Sequence, residues 1–204
     1  MKSATLIDLL AEAYKIERKT IALYDRHLKE AGYIPKGRGR HAPAARPEDA
    51  ALLTLALLAT DKPAKAVQRV ERFRGLQCVA DRSSGAFPDA YNIQEGTTIE
   101  DALTAFFASD IYDGSPYVEV HENARTARIE FFGQGEIIGK AFFRTVDKTE
   151  AQLEQDRREL LGIRQMRGLA SSELLRVHVP FYLERREGVS WEEMLPASEQ
   201  GEGR

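Results

Sequence analysis

At 204 residues the chain has room for one large domain or two small ones, and its apolar and charged fractions are those of an ordinary globular protein. Its single cysteine, Cys78, excludes a disulfide within the chain, and the most apolar segment, 50–59, is too short to span a bilayer. The net charge of −3 is unevenly spread: residues 1–76 hold 15 Lys/Arg against 9 Asp/Glu (+6), whereas the remainder holds 14 against 23 (−9), which predicts a polyanionic partner for the first part only.

No basic start followed by an apolar run and a cleavage site leads the sequence, so a cytoplasmic, non-membrane protein is expected. Ser3 stands where it can cap a first helix, with Leu6, Leu9, Leu10 and Ala13 as its inner face and an end near Tyr14. After a tight turn a second helix opens around Glu17 and stops at Gly32. Ile21, Tyr24, Leu28 and Ala31 recur there at helical spacing, which predicts one apolar face. The opposite face carries Arg18, Lys19, Ala22, Leu23, Arg26 and Lys29, cations and small side chains suited to phosphates and base edges. Lys36-Gly37-Arg38-Gly39-Arg40-His41-Ala42-Pro43 then forms a basic, glycine-spaced loop. No Gly-Lys-Ser/Thr follows it, so it is not a Walker nucleotide loop.

Leu10-Ala11-Glu12-Ala13, the turn, Arg18-Lys19-Thr20-Ile21 and the closing Glu30-Ala31-Gly32-Tyr33-Ile34 resemble a winged helix-turn-helix regulator. The run through Arg40 to Pro47-Glu48-Asp49 is similar to the DNA-binding end of MerR-type regulators and to small prophage DNA-binding proteins. The resemblance covers about the first third of the chain. It implies that Arg18, Lys19, Thr20, Ala22, Leu23 and Arg26 meet DNA from the second helix, and Lys36, Arg38, Arg40 and His41 from the wing. Lys15 stands where such turns carry glycine, which predicts a positive φ at a non-glycine residue. The wing lacks the aromatic MerR pattern, so no effector mechanism is implied.

Pro47 is placed to open a third helix, with Glu48 and Asp49 at its positive end. Residues 50–59 are apolar almost all round and should be buried. Asp61 is the expected cap of a helix from Pro63, with Ala66, Val67, Val70 and Phe73 inward and Lys65, Arg69, Arg72 and Arg74 as a solvated face. Residues 77–96, rich in Gly, Pro, Ser, Asp and Asn, predict a linker. Thr98 and Asp101 suggest a capping box for a helix through Ala108 that buries Ile99, Leu103, Phe106 and Phe107. Three short β segments follow, 117–122, 126–133 and 136–146. Ala127, Ile129 and Phe131, with Ile137, Gly139, Ala141 and Phe143, alternate onto the expected core face. The other face still carries Phe132, Ile138 and Phe142 among Arg128, Lys140 and Arg144, which predicts a second covering layer and places an oligomer interface there. Further helices are expected from Thr149 to about Gly162 and from Ser171 to Arg186, the latter interrupted at Pro180.

Catalytic signals are absent. His27, His41, His121 and His178 lie in four separate segments, none at ligand spacing to another His or to Cys78, so no metal site is expected. No nucleophile elbow, dinucleotide fingerprint or His-Glu-x-x-His occurs, and Cys78 has no base beside it in sequence. The sequence therefore predicts an α+β protein with no cofactor and no enzymatic activity. Its expected parts are a winged helix-turn-helix domain over 1–76, a linker over 77–96, an α+β oligomerisation or partner-binding domain with an antiparallel β-hairpin or meander over 97–190, and a disordered tail over 191–204. The expected function is a dimeric, sequence-specific regulator bound to double-stranded DNA. A terminase-like phage DNA-packaging subunit forming a ring is the alternative.

Overall fold

The computed structural model describes residues 1–37, 43–80, 83–85, 87, 91–109, 115–121, 125–133, 136–146 and 166–169. Among them the protein combines helices with an antiparallel sheet, an α+β architecture. Helix α1 (Ser3–Tyr14) buries Leu6, Ile7, Leu9, Leu10 and Ala13. Ser3 is its first helical residue rather than its cap; Lys2 holds that position, without a side-chain bond.

Lys15 closes α1 in the left-handed region at φ 54°, as its place in the turn predicts. The N–H of Ile16 reaches the carbonyl of Ala11 and that of Lys15 the carbonyl of Glu12, the paired bonds of a Schellman stop. Ile16 and Ala11 are both partly buried and pack against the core. Helix α2 (Arg18–Glu30) buries Ile21, Tyr24, Asp25 and Leu28. It ends through the same geometry at Gly32, φ 84°, where Tyr33 N–H bonds Leu28 and Gly32 N–H bonds Lys29.

Helix α3 (Pro47–Ala59) is buried at every position from Asp49 to Ala59, so it is the central rod of the helical layer. The Asp49 carboxylate accepts from both the backbone N–H and the guanidinium of Arg46, closing the helix start. Asp61 does not cap the next helix. Lys62 holds the cap position of a 3-10 turn at Pro63–Lys65 that precedes α4 (Ala66–Phe73), and the Thr60 Oγ accepts from the Lys62 N–H. The 3-10 turn moves the α-helix start three residues beyond Pro63, to Ala66.

Two short segments of the stretch expected to be a linker join the sheet. Strand β1 (Gln77–Cys78) and strand β2 (Ser84–Gly85) both pair with the long strand β5 (Glu136–Arg144). Tyr91 stacks on Phe131 with ring centroids 5.1 Å apart. Two-residue strands carry no alternation, which is why composition alone reads this stretch as a connection. Helix α5 (Ile99–Ala108) begins as its capping residues suggest, with Thr98 Oγ accepting from the Asp101 N–H. It packs along α3.

Strands β3 (Ser115–His121) and β4 (Thr126–Gly133) complete the meander with β5, and β6 (Met166–Leu169) adds to the free side of β3. The strand order is β1-β5-β4-β3-β6, antiparallel throughout, with β2 also on β5. Val118, Val120, Ala127, Ile129, Phe131, Ala141 and Phe143 are buried and share one core cluster with the residues of α3 and α5. Ile137 is not among them. The register passes from Phe131–Gly139 to Phe132–Ile137, leaving Ile138 as an extra residue. That bulge breaks the alternation and leaves Ile137 51% exposed. The helices expected at 149–162 and 171–186, and the tail 191–204, lie outside the described residues.

Candidate nucleic-acid interface

Helix α2 is held against the fold from one side. The Tyr24 hydroxyl donates to the Thr60 carbonyl at 2.7 Å, and Leu28 and Ile21 are fully buried. The half-buried Ala22 packs against the core as well, so it is not the outward position expected of it, and Thr20 is likewise half-buried. Arg18, Lys19, Leu23 and Arg26 are exposed. Leu23 is 45% exposed, an apolar side chain among cations.

Each of these cations already has an acidic neighbour. Arg18 pairs with Asp8 of α1, which ties the first turn of α2 to the helix before it. Lys19 pairs with Glu17 at 2.9 Å and Arg26 with Glu30 at 2.8 Å. The hydrogen bond from Arg26 holds the Glu30 carboxyl below the usual carboxylate range. Exposed pairs of this kind are screened by solvent and only weakly hold the cations. Lys29 differs, its ammonium bonded at 2.7 Å to the mostly buried Asp25.

Beside the C-terminal half of α2 lies a cleft of about 520 Å³ lined by Asp25, Arg26, Lys29, Glu30, Lys36 and Gly37. Lys36 lies across its end, donating to the Glu30 carbonyl at 3.4 Å. The structure thus brings Lys36 of the expected wing to the same cleft as Arg26. Arg38, Arg40 and His41 lie outside the described residues. His27 stands half-buried, 3.9 Å from Glu30.

A second polar constellation escapes sequence reasoning. On the face of the sheet away from α3, Glu119 is 1% exposed. Its carboxylate takes Arg128 at 2.6 Å, His121 Nε2 at 2.8 Å and the Tyr117 hydroxyl at 3.3 Å. Arg128 and Lys140 also reach Glu130, at 3.1 and 3.2 Å. Burial pushes the Glu119 carboxyl up, but the bond and charge of His121, with Arg128 and Tyr117, outweigh it and hold the group below its usual range. The signal was Tyr117-x-Glu119-x-His121, ionisable residues at a spacing of two that share one strand face.

This constellation also alters the expected oligomer surface. Phe132 and Phe142 are half-buried and Ile138 is 41% exposed. The Glu130–Lys140 pair lies between Phe142 and the Phe132–Ile137 end of the sheet, so the apolar side chains do not form one patch.

Burial pushes the Cys78 thiol up, against a smaller opposing effect from Ser83, so it is a poor nucleophile. Among the described residues no group of three or more His, Cys, Asp or Glu is arranged to hold a metal, and no helix is long and apolar enough to cross a membrane. No protein-family model, curated protein or solved structure matches the chain.

Proposed function

We propose that the protein is a sequence-specific regulator that binds double-stranded DNA through a winged helix-turn-helix, with α2 as the recognition helix. The observation that carries this reading is the three-residue turn Lys15–Glu17. Its left-handed Lys15 and inward Ile16 join two helices whose contact leaves Arg18, Lys19, Leu23 and Arg26 outward. A helix-turn-helix needs such a turn to set its second helix at the angle that fits a major groove. The basic balance of residues 1–76 supplies the sequence-independent attraction. Arg18, Lys19 and Leu23 near the start of α2 meet base edges, Leu23 being suited to a thymine methyl. Arg26 and Lys36, with Arg38, Arg40 and His41 of the wing, contact the phosphate backbone. A dimer would double the interface and set the half-site spacing.

The test is selection of bound sequences from a random duplex pool, followed by anisotropy titrations of the selected and a scrambled duplex across salt. Arg18→Ala should cost roughly 1–3 kcal/mol on the selected site and relax preference at one position. Lys36→Ala should weaken both duplexes alike and reduce the salt slope by about one. A pool that yields no enriched sequence, or four alanine variants at Arg18, Lys19, Arg26 and Lys36 that bind like the wild type, would sink the proposal.

A further inference from the structure

The second face of the sheet carries a block of side chains that DNA binding by α2 leaves unused. The register arranges them in three rows across β3, β4 and β5. Tyr117, Glu130 and Lys140 form the first; Glu119, Arg128 and Phe142 the second; His121, Thr126 and Arg144 the third. Residues directly opposite in an antiparallel pair share a face, with Cβ atoms about 4.5–5.5 Å apart, so each row spans roughly 10 Å.

In the first two rows every carboxylate is met by donors. Glu119 receives Arg128, His121 and Tyr117, and Glu130 receives Arg128 and Lys140. The third row is different. Thr126 is only 6% exposed, yet among the described residues its hydroxyl has no hydrogen-bond partner, although an imidazole stands opposite it on one strand and a guanidinium on the other. Buried hydroxyls are ordinarily bonded, so an unbonded one calls for a water, an ion or a ligand atom beside it. The neighbours decide what kind. Among the described residues, three cations, Arg128, Lys140 and Arg144, share this face with two carboxylates, Glu119 and Glu130, before His121 is considered. The imidazole donates from Nε2 to the Glu119 carboxylate, a bond that fixes the orientation of the ring. A hydroxyl that lacks an acceptor, between basic groups on a face of positive balance, fits an anion that accepts several hydrogen bonds at once.

We propose that the row His121–Thr126–Arg144 binds a small oxyanion, the phosphate or carboxylate group of a small molecule. Thr126 donates its hydroxyl proton to one oxygen, Arg144 supplies charge-assisted bonds from the β5 side, and Glu119 orients His121 from the second row. The site stands on a different part of the fold from α2 and does not depend on the DNA reading.

The experiment uses the isotope-labelled full chain, titrated separately with inorganic phosphate and with acetate at an ionic strength held constant with sodium chloride. Saturable amide shifts confined to the neighbourhood of His121, Thr126 and Arg144 are expected with at least one anion. Which anion saturates first names the group the site takes. Thr126→Val keeps the shape and removes the hydroxyl, and should weaken binding by about tenfold or more, whereas Thr126→Ser should bind like the wild type. Arg144→Met gives an independent readout if the valine variant does not fold, and the same loss is expected of it. Titrations in which neither anion gives saturable shifts at this row overturn the proposal. So does a folded Thr126→Val or Arg144→Met variant with wild-type affinity.

Discussion

The phenol of Tyr24 donates to the backbone carbonyl of Thr60 at 2.7 Å, joining the middle of α2 to the C-terminal end of α3. Both partners are buried, and Thr60 is the residue at which α3 stops. The bond therefore satisfies a carbonyl that the helix itself leaves open, and it fixes how far α2 stands from the central rod. Tyr24→Phe keeps the ring and strands that carbonyl, so it should destabilise the protein by about 1–3 kcal/mol in urea unfolding. An unchanged midpoint would mean that the carbonyl finds another donor.

Lys15 holds a left-handed conformation that costs a side-chain-bearing residue roughly 1–2 kcal/mol. Glycine removes that strain but brings greater freedom to the unfolded chain, worth about 0.5–1 kcal/mol in the opposite direction. Lys15→Gly should therefore stabilise by up to about 1.5 kcal/mol, the difference of these two effects. The Schellman bonds of Lys15 and Ile16 use backbone atoms only and survive the change. A lower melting temperature for Lys15→Gly would show that the lysine side chain contributes more than its backbone strain costs.

At Gly85 in strand β2 no side chain fits. Its φ is +83°, and a Cβ there would stand 2.2 Å from the carbonyl oxygen of Ile138 and 2.8 Å from the Cα of Gly139. Both obstacles are backbone, so relief requires β2 to move off β5. Gly85→Ala should cost roughly 1–3 kcal/mol and release amide exchange protection in Ser84 and Lys140. Protection that stays at the wild-type level would contradict the close approach.

What the sequence made legible divides by physical signal. The α1–turn–α2 unit was readable because apolar spacing, Gly32 and the exceptional demand on Lys15 all act locally. Helix α5 was readable through the Thr98–Asp101 pair for the same reason. Strands β1 and β2 were not, since two residues carry no period and their partners on β5 lie about sixty residues away in sequence. Ile137 was misplaced because a bulge is a property of the pair Phe131–Phe132 with β5, invisible in β5 alone. The polar rows were half legible. Their spacing within each strand stands in the sequence, but opposing Glu119 to Arg128 and Thr126 to both His121 and Arg144 takes a register that only the folded hairpins define.

The buried carboxylate of Glu119 makes a prediction about pH. Its folded-state pKa lies below the ordinary range, because His121, Arg128 and Tyr117 together outweigh the cost of burial. A depressed carboxylate stabilises the fold at any pH above its unfolded-state pKa. That stabilisation is lost as pH falls through the unfolded value toward the lower folded one, where the native group too becomes protonated. Unfolding free energy of the wild type should thus decline with acidification in the window below the usual carboxylate pKa. Glu119→Gln has no proton to take up at this site, so its stability should fall less steeply across the same window, even though its absolute stability at neutral pH is reduced by loss of the Arg128 ion pair. Because Glu30 is also depressed, by Arg26, the control is Glu30→Gln, which should flatten its own share of the slope and leave that of Glu119 intact. Chemical denaturation of the three proteins at stepped pH measures the slopes directly. Parallel curves for wild type and Glu119→Gln would mean that this carboxylate titrates alike in the folded and unfolded chains, and the network around it would then contribute nothing to acid sensitivity.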